Sequence, residues 1–126
     1  MRLWLARHPD RLSTKREIII DELLGLVANG RNDAVSTMVG MLADLHQHGR
    51  ESRYLEKLKK LPLFELKSAS RGGEKGGSRI YLFFLANGDA GVVNCEVKEG
   101  DAPGQAKLEL ALEVLVAYRS GVKVFG

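Results

Sequence analysis

Between Leu63 and Glu99 the chain alternates charged and apolar residues at the period of a β-strand. Leu63, Glu65 and Lys67 share one side with Phe64 and Leu66 opposite; Asn94, Glu96 and Lys98 then oppose Val93, Cys95 and Val97. Between these stretches SRIYLFFLA is apolar on both faces, as a central strand is, with Arg79 and Tyr81 on one of them. The pattern predicts three strands in a sheet with one dry face and one charged, working face. Asn87-Gly88-Asp89 marks a reversal between the second and third strands. Residues 70–78, with four glycines plus Arg71, Glu74 and Lys75, are too long for a tight hairpin and predict a mobile basic loop.

The flanking segments switch to helical spacing. Thr14-Lys15-Arg16-Glu17 has the spacing of a capping box and opens the series Ile19, Leu23, Leu26, Val27, which predicts a helix over 15–29 stopped by Asn29-Gly30. A second helix, capped by Asn32, carries Val35, Met38, Val39, Leu42 and Leu45 and ends at Gly49. RESRYLEKLKKLP, residues 50–62, reads either as a short helix through Leu55, Leu58 and Leu61 or as an irregular basic connection halted by Pro62; the reading favours a connection with a helical turn in it. The last helix, from Pro103 to Arg119, has two apolar stripes: Leu108, Ala111, Leu112 and Leu115, and Leu110, Val114 and Tyr118. One stripe is expected to cover the dry face of the sheet, and the other is a wider core contact or a homodimer interface. Arg2 to Arg7 alternates as an edge strand would. The expected architecture is α+β, a small antiparallel sheet with two N-terminal helices and a C-terminal helix in the order β-α-α-β-β-β-α.

At 126 residues the chain suits a single domain over 1–126, and 44% hydrophobic with 28% charged residues is ordinary for a globular protein. No apolar run approaches the roughly 20 residues of a membrane span, and the charges of MRLWLARHPD break any leader-like segment, so no membrane contact and a cytoplasmic location are expected. The single cysteine, Cys95, excludes an internal disulfide and sits on the apolar side of its strand. The net charge of +3 understates the asymmetry, because residues 50–79 hold nine Lys or Arg against four Glu, a patch that attracts phosphates. The glycine-rich loop is not a phosphate-cradling P-loop, since no GxxxxGK[ST] occurs. The three histidines, His8, His46 and His48, all precede residue 50; none has convincing metal spacing. His46 is expected to be half-buried at the end of a helical apolar stripe, and His8 and His48 to lie on the surface.

As an ordered series, the helix ending in HQHG at 46–49, the basic stretch, LFELKS at 63–68, RIYLFFLANGDAGVV at 79–93, VKEGDAP at 97–103 and the closing helix resemble the RelE/ParE toxin superfamily, most of all its phage-derived, HigB-like branch. The likeness runs from residue 33 to 119. It implies the toxin of a toxin–antitoxin pair, a metal-independent and cofactor-free endoribonuclease that cuts messenger RNA, commonly on the ribosome, and is silenced by a cognate antitoxin of helix-turn-helix type. In such enzymes basic and tyrosine side chains on the sheet hold the RNA backbone, assist attack of the ribose 2′-hydroxyl on the adjacent phosphate and stabilise the charge that develops. The resemblance carries this role to Lys67, Arg79 and Lys98, with Tyr81 beside them on the charged face as a further catalytic candidate, and Lys57, Lys60, Arg71 and Lys75 of the basic patch are the candidate RNA contacts. Two positions depart from the family pattern: Asn94 stands for a histidine and Glu99 for a second lysine. The simpler role for Arg79 is a cross-strand pair with Glu65 or Glu96, for Tyr81 the rim of the core, and for Lys98 and Lys107 solvated charge. Glu96 is a proton acceptor or a source of repulsion towards phosphate. The alternative function is binding without catalysis on the same scaffold, as a gyrase poison or as a nucleic-acid or partner-binding module.

Overall fold

A computed structural model describes residues 1–13, 16–68, 77–97 and 104–125. Strand β1 (Leu3–Leu5) leads through a 3-10 turn (Pro9–Arg11) to helices α1 (Ile18–Ala28) and α2 (Asn32–His48). A second 3-10 turn (Gly49–Glu51) precedes strands β2 (Leu55–Lys57), β3 (Phe64–Lys67), β4 (Ser78–Phe84) and β5 (Ala90–Val97), and helix α3 (Gln105–Arg119) closes the series. The α+β class and most of the expected order therefore hold. The sheet is mixed rather than wholly antiparallel: its order is β1-β5-β4-β3-β2, and β1 runs parallel to β5.

Two differences have clear causes. Residues 55–57 form a fifth strand where a helical turn was expected, because β3 offers its open edge and pairs Leu55 with Leu66 and Lys57 with Phe64. Helix α2 starts at Asn32 itself, one residue earlier than a helix capped by Asn32 would, with Arg31 as the flanking residue, and ends at Gly49, whose φ of 59° suits glycine. The capping box at Thr14 lies outside the described residues, and α1 begins at Ile18 after Glu17, whose side chain makes no cap bond.

Both faces of the sheet are covered. Leu66, Ile80, Leu82, Val92 and Cys95 pack against Ile19 of α1 and Met38, Met41 and Leu45 of α2. Leu63, Tyr81, Phe83 and Val93 pack against Ala111, Val114 and Leu115 of α3, joined by Ala6 and Val124. The closing helix thus lies on the charged face, not the dry one, which the first two helices already occupy. A β-bulge makes this possible: the register passes from Tyr81↔Asn94 to Leu82↔Val92, leaving Val93 as an extra residue turned with Asn94 towards α3. Both apolar stripes of α3 enter this core, with Val116 left as the exposed large apolar side chain of the helix.

Candidate functional site

The pairing of β3, β4 and β5 brings the predicted site residues into two rows on the face that α3 covers. Lys67 lies opposite Arg79 and Arg79 opposite Glu96; one step along, Glu65 lies opposite Tyr81 and Tyr81 opposite Asn94. The alternation in the sequence thus translates directly into a cluster. Its setting does not, since Arg79 is only 2% exposed, Glu65 4% and Tyr81 0%. This end of the charged face is closed over rather than open to solvent, and Tyr81 belongs to the core rather than to its rim.

Burial forces these groups to satisfy one another. Arg79 Nη1 donates to Glu65 Oε2 at 3.4 Å. Even beside this guanidinium the Glu65 carboxyl holds its proton more tightly than an ordinary glutamate, because burial outweighs the attraction of Arg79 and Lys67. Tyr81 donates its hydroxyl to Glu96 Oε2 at 2.6 Å. Burial first, and the Glu96 carboxylate second, push the phenol well above its usual range, so Tyr81 keeps its proton, donates a hydrogen bond to Glu96 and is neither a ready acid nor a base. Of the two cross-strand partners foreseen for Arg79, Glu65 is the one it takes.

Helix α3 is fastened onto this cluster by its N-terminal turn. The backbone amide of Gly104 donates to Glu96 Oε2 at 3.0 Å, placing the carboxylate at the positive end of the helix. A Cβ at 104 would stand 2.7 Å from Glu96 Oε1, so any larger residue there has to push the carboxylate aside. The Asn94 side-chain amide donates to the Lys107 carbonyl at 3.0 Å. Lys107, expected to be a solvated charge, pairs instead with Glu22 of α1. The other oxygen of Glu22 accepts the Cys95 amide at 2.8 Å, satisfying β5 where β1 no longer flanks it. Burial and the neighbouring Glu22 carboxylate push the Cys95 thiol up to about 12, so it is a core side chain and not a nucleophile.

The remaining predicted residues divide. Lys67 is half-buried at the mouth of the cluster. Lys57 and Lys60 are exposed and lie elsewhere: Lys57 faces Phe64 at the other end of β2, with its ammonium donating to the carbonyls of Leu58, at 3.0 Å, and Leu61, and Lys60 sits in the following turn with φ 67°. Lys98, Arg71 and Lys75 lie outside the described residues. His46 is exposed, not half-buried; its Nδ1 lies 2.6 Å from the Met1 carbonyl oxygen, and it fixes β1's approach to the end of α2. His8 caps the first 3-10 turn by accepting from the Asp10 amide, and His48 lies 3.7 Å from Asp44.

Sequence reading missed Glu22 and Gly104. A lone glutamate on an amphipathic helix carries no sign of a distant strand edge. Gly104 follows Pro103 as any loop residue does. Among the described residues no group of three or more His, Cys, Asp or Glu is placed to hold a metal ion, and no helix is long and apolar enough to cross a membrane. No protein-family model and no curated protein matches the chain.

Proposed function

We propose that the protein is the toxin of a toxin–antitoxin pair, RelE/ParE-like in kind, and that it acts on messenger RNA as a metal-independent endoribonuclease. One observation carries this reading: the register that sets Lys67, Arg79 and Glu96 in a single row, with Tyr81 hydrogen-bonded to Glu96 beside them. Cleavage by the ribose 2′-hydroxyl needs a proton acceptor, cations for the pentacoordinate phosphate and a donor for the leaving oxygen. Glu96 supplies the acceptor, Lys67 and Arg79 the cations, and half-buried Lys67 the proton for the leaving group. The reaction needs no cofactor in this scheme. The ribosome and a helix-turn-helix antitoxin are the partners it implies.

A second reading, contact without cleavage, is favoured by the burial of Arg79 beside Glu65 and by the tightly held phenol proton of Tyr81. Induced expression in a bacterial host separates the two when growth and new messenger RNA 5′ ends are followed together. The wild type arrests growth and generates new ends. Lys67→Ala and Glu96→Gln, each verified as folded, abolish both. Arrest without new ends establishes the contact reading, and neither effect in the wild type overturns the toxin assignment.

A further inference from the structure

Three exposed cations outside the candidate site, Arg50, Arg53 and Lys57, gather against aromatic rings. Arg50, just after α2, places its guanidinium 3.7 Å from the centre of the Phe84 ring and 5.7 Å from that of Phe64. Lys57 stands 5.7 Å from the same Phe64 ring, and Phe64 and Phe84 meet edge to face with centres 4.8 Å apart. Arg53 lies 4.8 Å over Tyr54 and donates to its hydroxyl at 2.7 Å. Tyr54 in turn accepts the Lys67 amide on its backbone carbonyl at 3.0 Å. The row therefore runs along the outer edge of the sheet on its α1 and α2 side, from Lys57 and Arg50 at one end of β2 to Arg53 and Tyr54 at the other, a span of about 10 Å, whereas the Lys67 side chain alternates to the opposite side.

Lysine on an edge strand ordinarily guards against pairing with another sheet. That role explains Lys57 but not Arg50 or Arg53, which lie outside the strand and hold their planar groups against rings. Among the described residues neither arginine forms an ion pair. Glu56, the acidic residue within β2, pairs with Glu65 and so points to the opposite face. Cations outnumbering the neighbouring exposed Glu51, interleaved with half-buried aromatics, match a phosphate backbone with unpaired bases: phosphates meet the charges, and bases stack on guanidinium planes and ring faces.

We infer that the β2 edge, through Arg50, Arg53, Lys57, Tyr54, Phe64 and Phe84, is a docking track for single-stranded RNA on the face of the sheet opposite the Lys67 cluster. The inference rests on the reading that the chain meets RNA and is independent of whether it cuts. The test uses the intact protein and a fluorescein-labelled RNA of about 12 nucleotides, a length within the range such surfaces cover. Every ribose carries a 2′-O-methyl group, which blocks cleavage by the 2′-hydroxyl, and affinity is read by anisotropy across a salt series. The wild type binds; Arg50→Ala with Arg53→Ala weakens binding at least tenfold and flattens the log–log salt slope by about 1.4, the share of two phosphate contacts. Arg50→Lys with Arg53→Lys restores the slope but not the full affinity, because the charge returns without the planar stack. Circular dichroism of the variants matches the wild type. The inference is overturned by no binding of the blocked RNA to the wild type, by unchanged binding in the alanine variant, or by equal affinity for a polyglutamate peptide. Binding along the track by a protein that leaves unblocked RNA intact upholds the inference and removes the endoribonuclease reading instead.

Discussion

Glu65 and Arg79 decide what the charged end of the sheet can do. Breaking a buried pair by removing one member leaves the other charge stranded, so Arg79→Ala is expected to cost about 3–5 kcal/mol. Loss of toxicity in that variant would therefore say little about catalysis, and Lys67 and Glu96 are the better probes. Glu65 also makes the pair a source of pH dependence. Its carboxyl holds a proton more tightly in the folded chain than at the ordinary value of 4.5, mainly through burial. Between those two values the folded state binds more protons than the unfolded, so this contribution to stability is complete at low pH and is lost as pH rises through the folded value. Urea midpoints of the wild type and Glu65→Gln should diverge accordingly: the wild type gains on the variant as pH falls from neutral towards 4.5. A flat difference would mean that Arg79 compensates the burial in full. Sequence alternation correctly put Glu65, Lys67, Arg79 and Tyr81 on one face, yet their burial was hidden because it depends on α3, some 25 or more residues later, folding back over them.

Elements were legible where the signal was local. The two N-terminal helices, the central apolar strand and the Asn87-Gly88 turn lie close to where spacing put them, since each is set by periodicity and turn chemistry alone. Strand β2 was not, because Leu55, Leu58 and Leu61 fall at helical intervals and three residues hold a strand only when a neighbour pairs with them. The parallel union of β1 with β5 joins residues more than 80 apart, and nothing local announces it. That union is sealed by the C-terminal segment, where Ala6 bridges Phe125 and the Arg7 amide donates to the Val124 carbonyl at 2.7 Å. Gly91 is the contact point: a Cβ there would stand 2.5 Å from Phe125 Cζ and 2.9 Å from Leu85 Cδ2. Gly91→Ala should destabilise by about 1–3 kcal/mol through overpacking. If the clash with the ring is the cause, Phe125→Ala in the same chain should relieve part of it, so the double variant loses less than the two single variants together. Strict additivity in thermal or urea unfolding would assign the cost of Gly91→Ala to the strand backbone instead.

At the scale of the molecule, one sheet serves two cores. Ile80, Leu82 and Cys95 look towards α1 and α2, while Tyr81, Phe83 and Val93 look towards α3, and the same two strands, β4 and β5, carry both sets. Neither core can dissolve without exposing the back of the other, and Glu22 links α1, β5 and α3 across the open edge. The candidate site sits within this construction: its row of side chains is held under the first turn of α3 by Gly104 and Asn94, so its geometry is as stable as the whole fold. One cooperative transition is the consequence. The protein supplies two independent reporters, Trp4 fluorescence for β1, where the indole donates to Asp89 at 3.1 Å, and far-ultraviolet circular dichroism for the helices. Leu45→Ala removes a fully buried side chain from the core beneath α2, and Leu115→Ala one that is 3% exposed in the core beneath α3; each is expected to cost about 2–5 kcal/mol. In both variants the fluorescence and dichroism midpoints should fall together. A Leu115→Ala chain whose helix signal melts ahead of Trp4 would show α3 opening by itself, and the cluster of Lys67, Arg79, Tyr81 and Glu96 would then become accessible by partial unfolding, making burial in the closed state no barrier to catalysis.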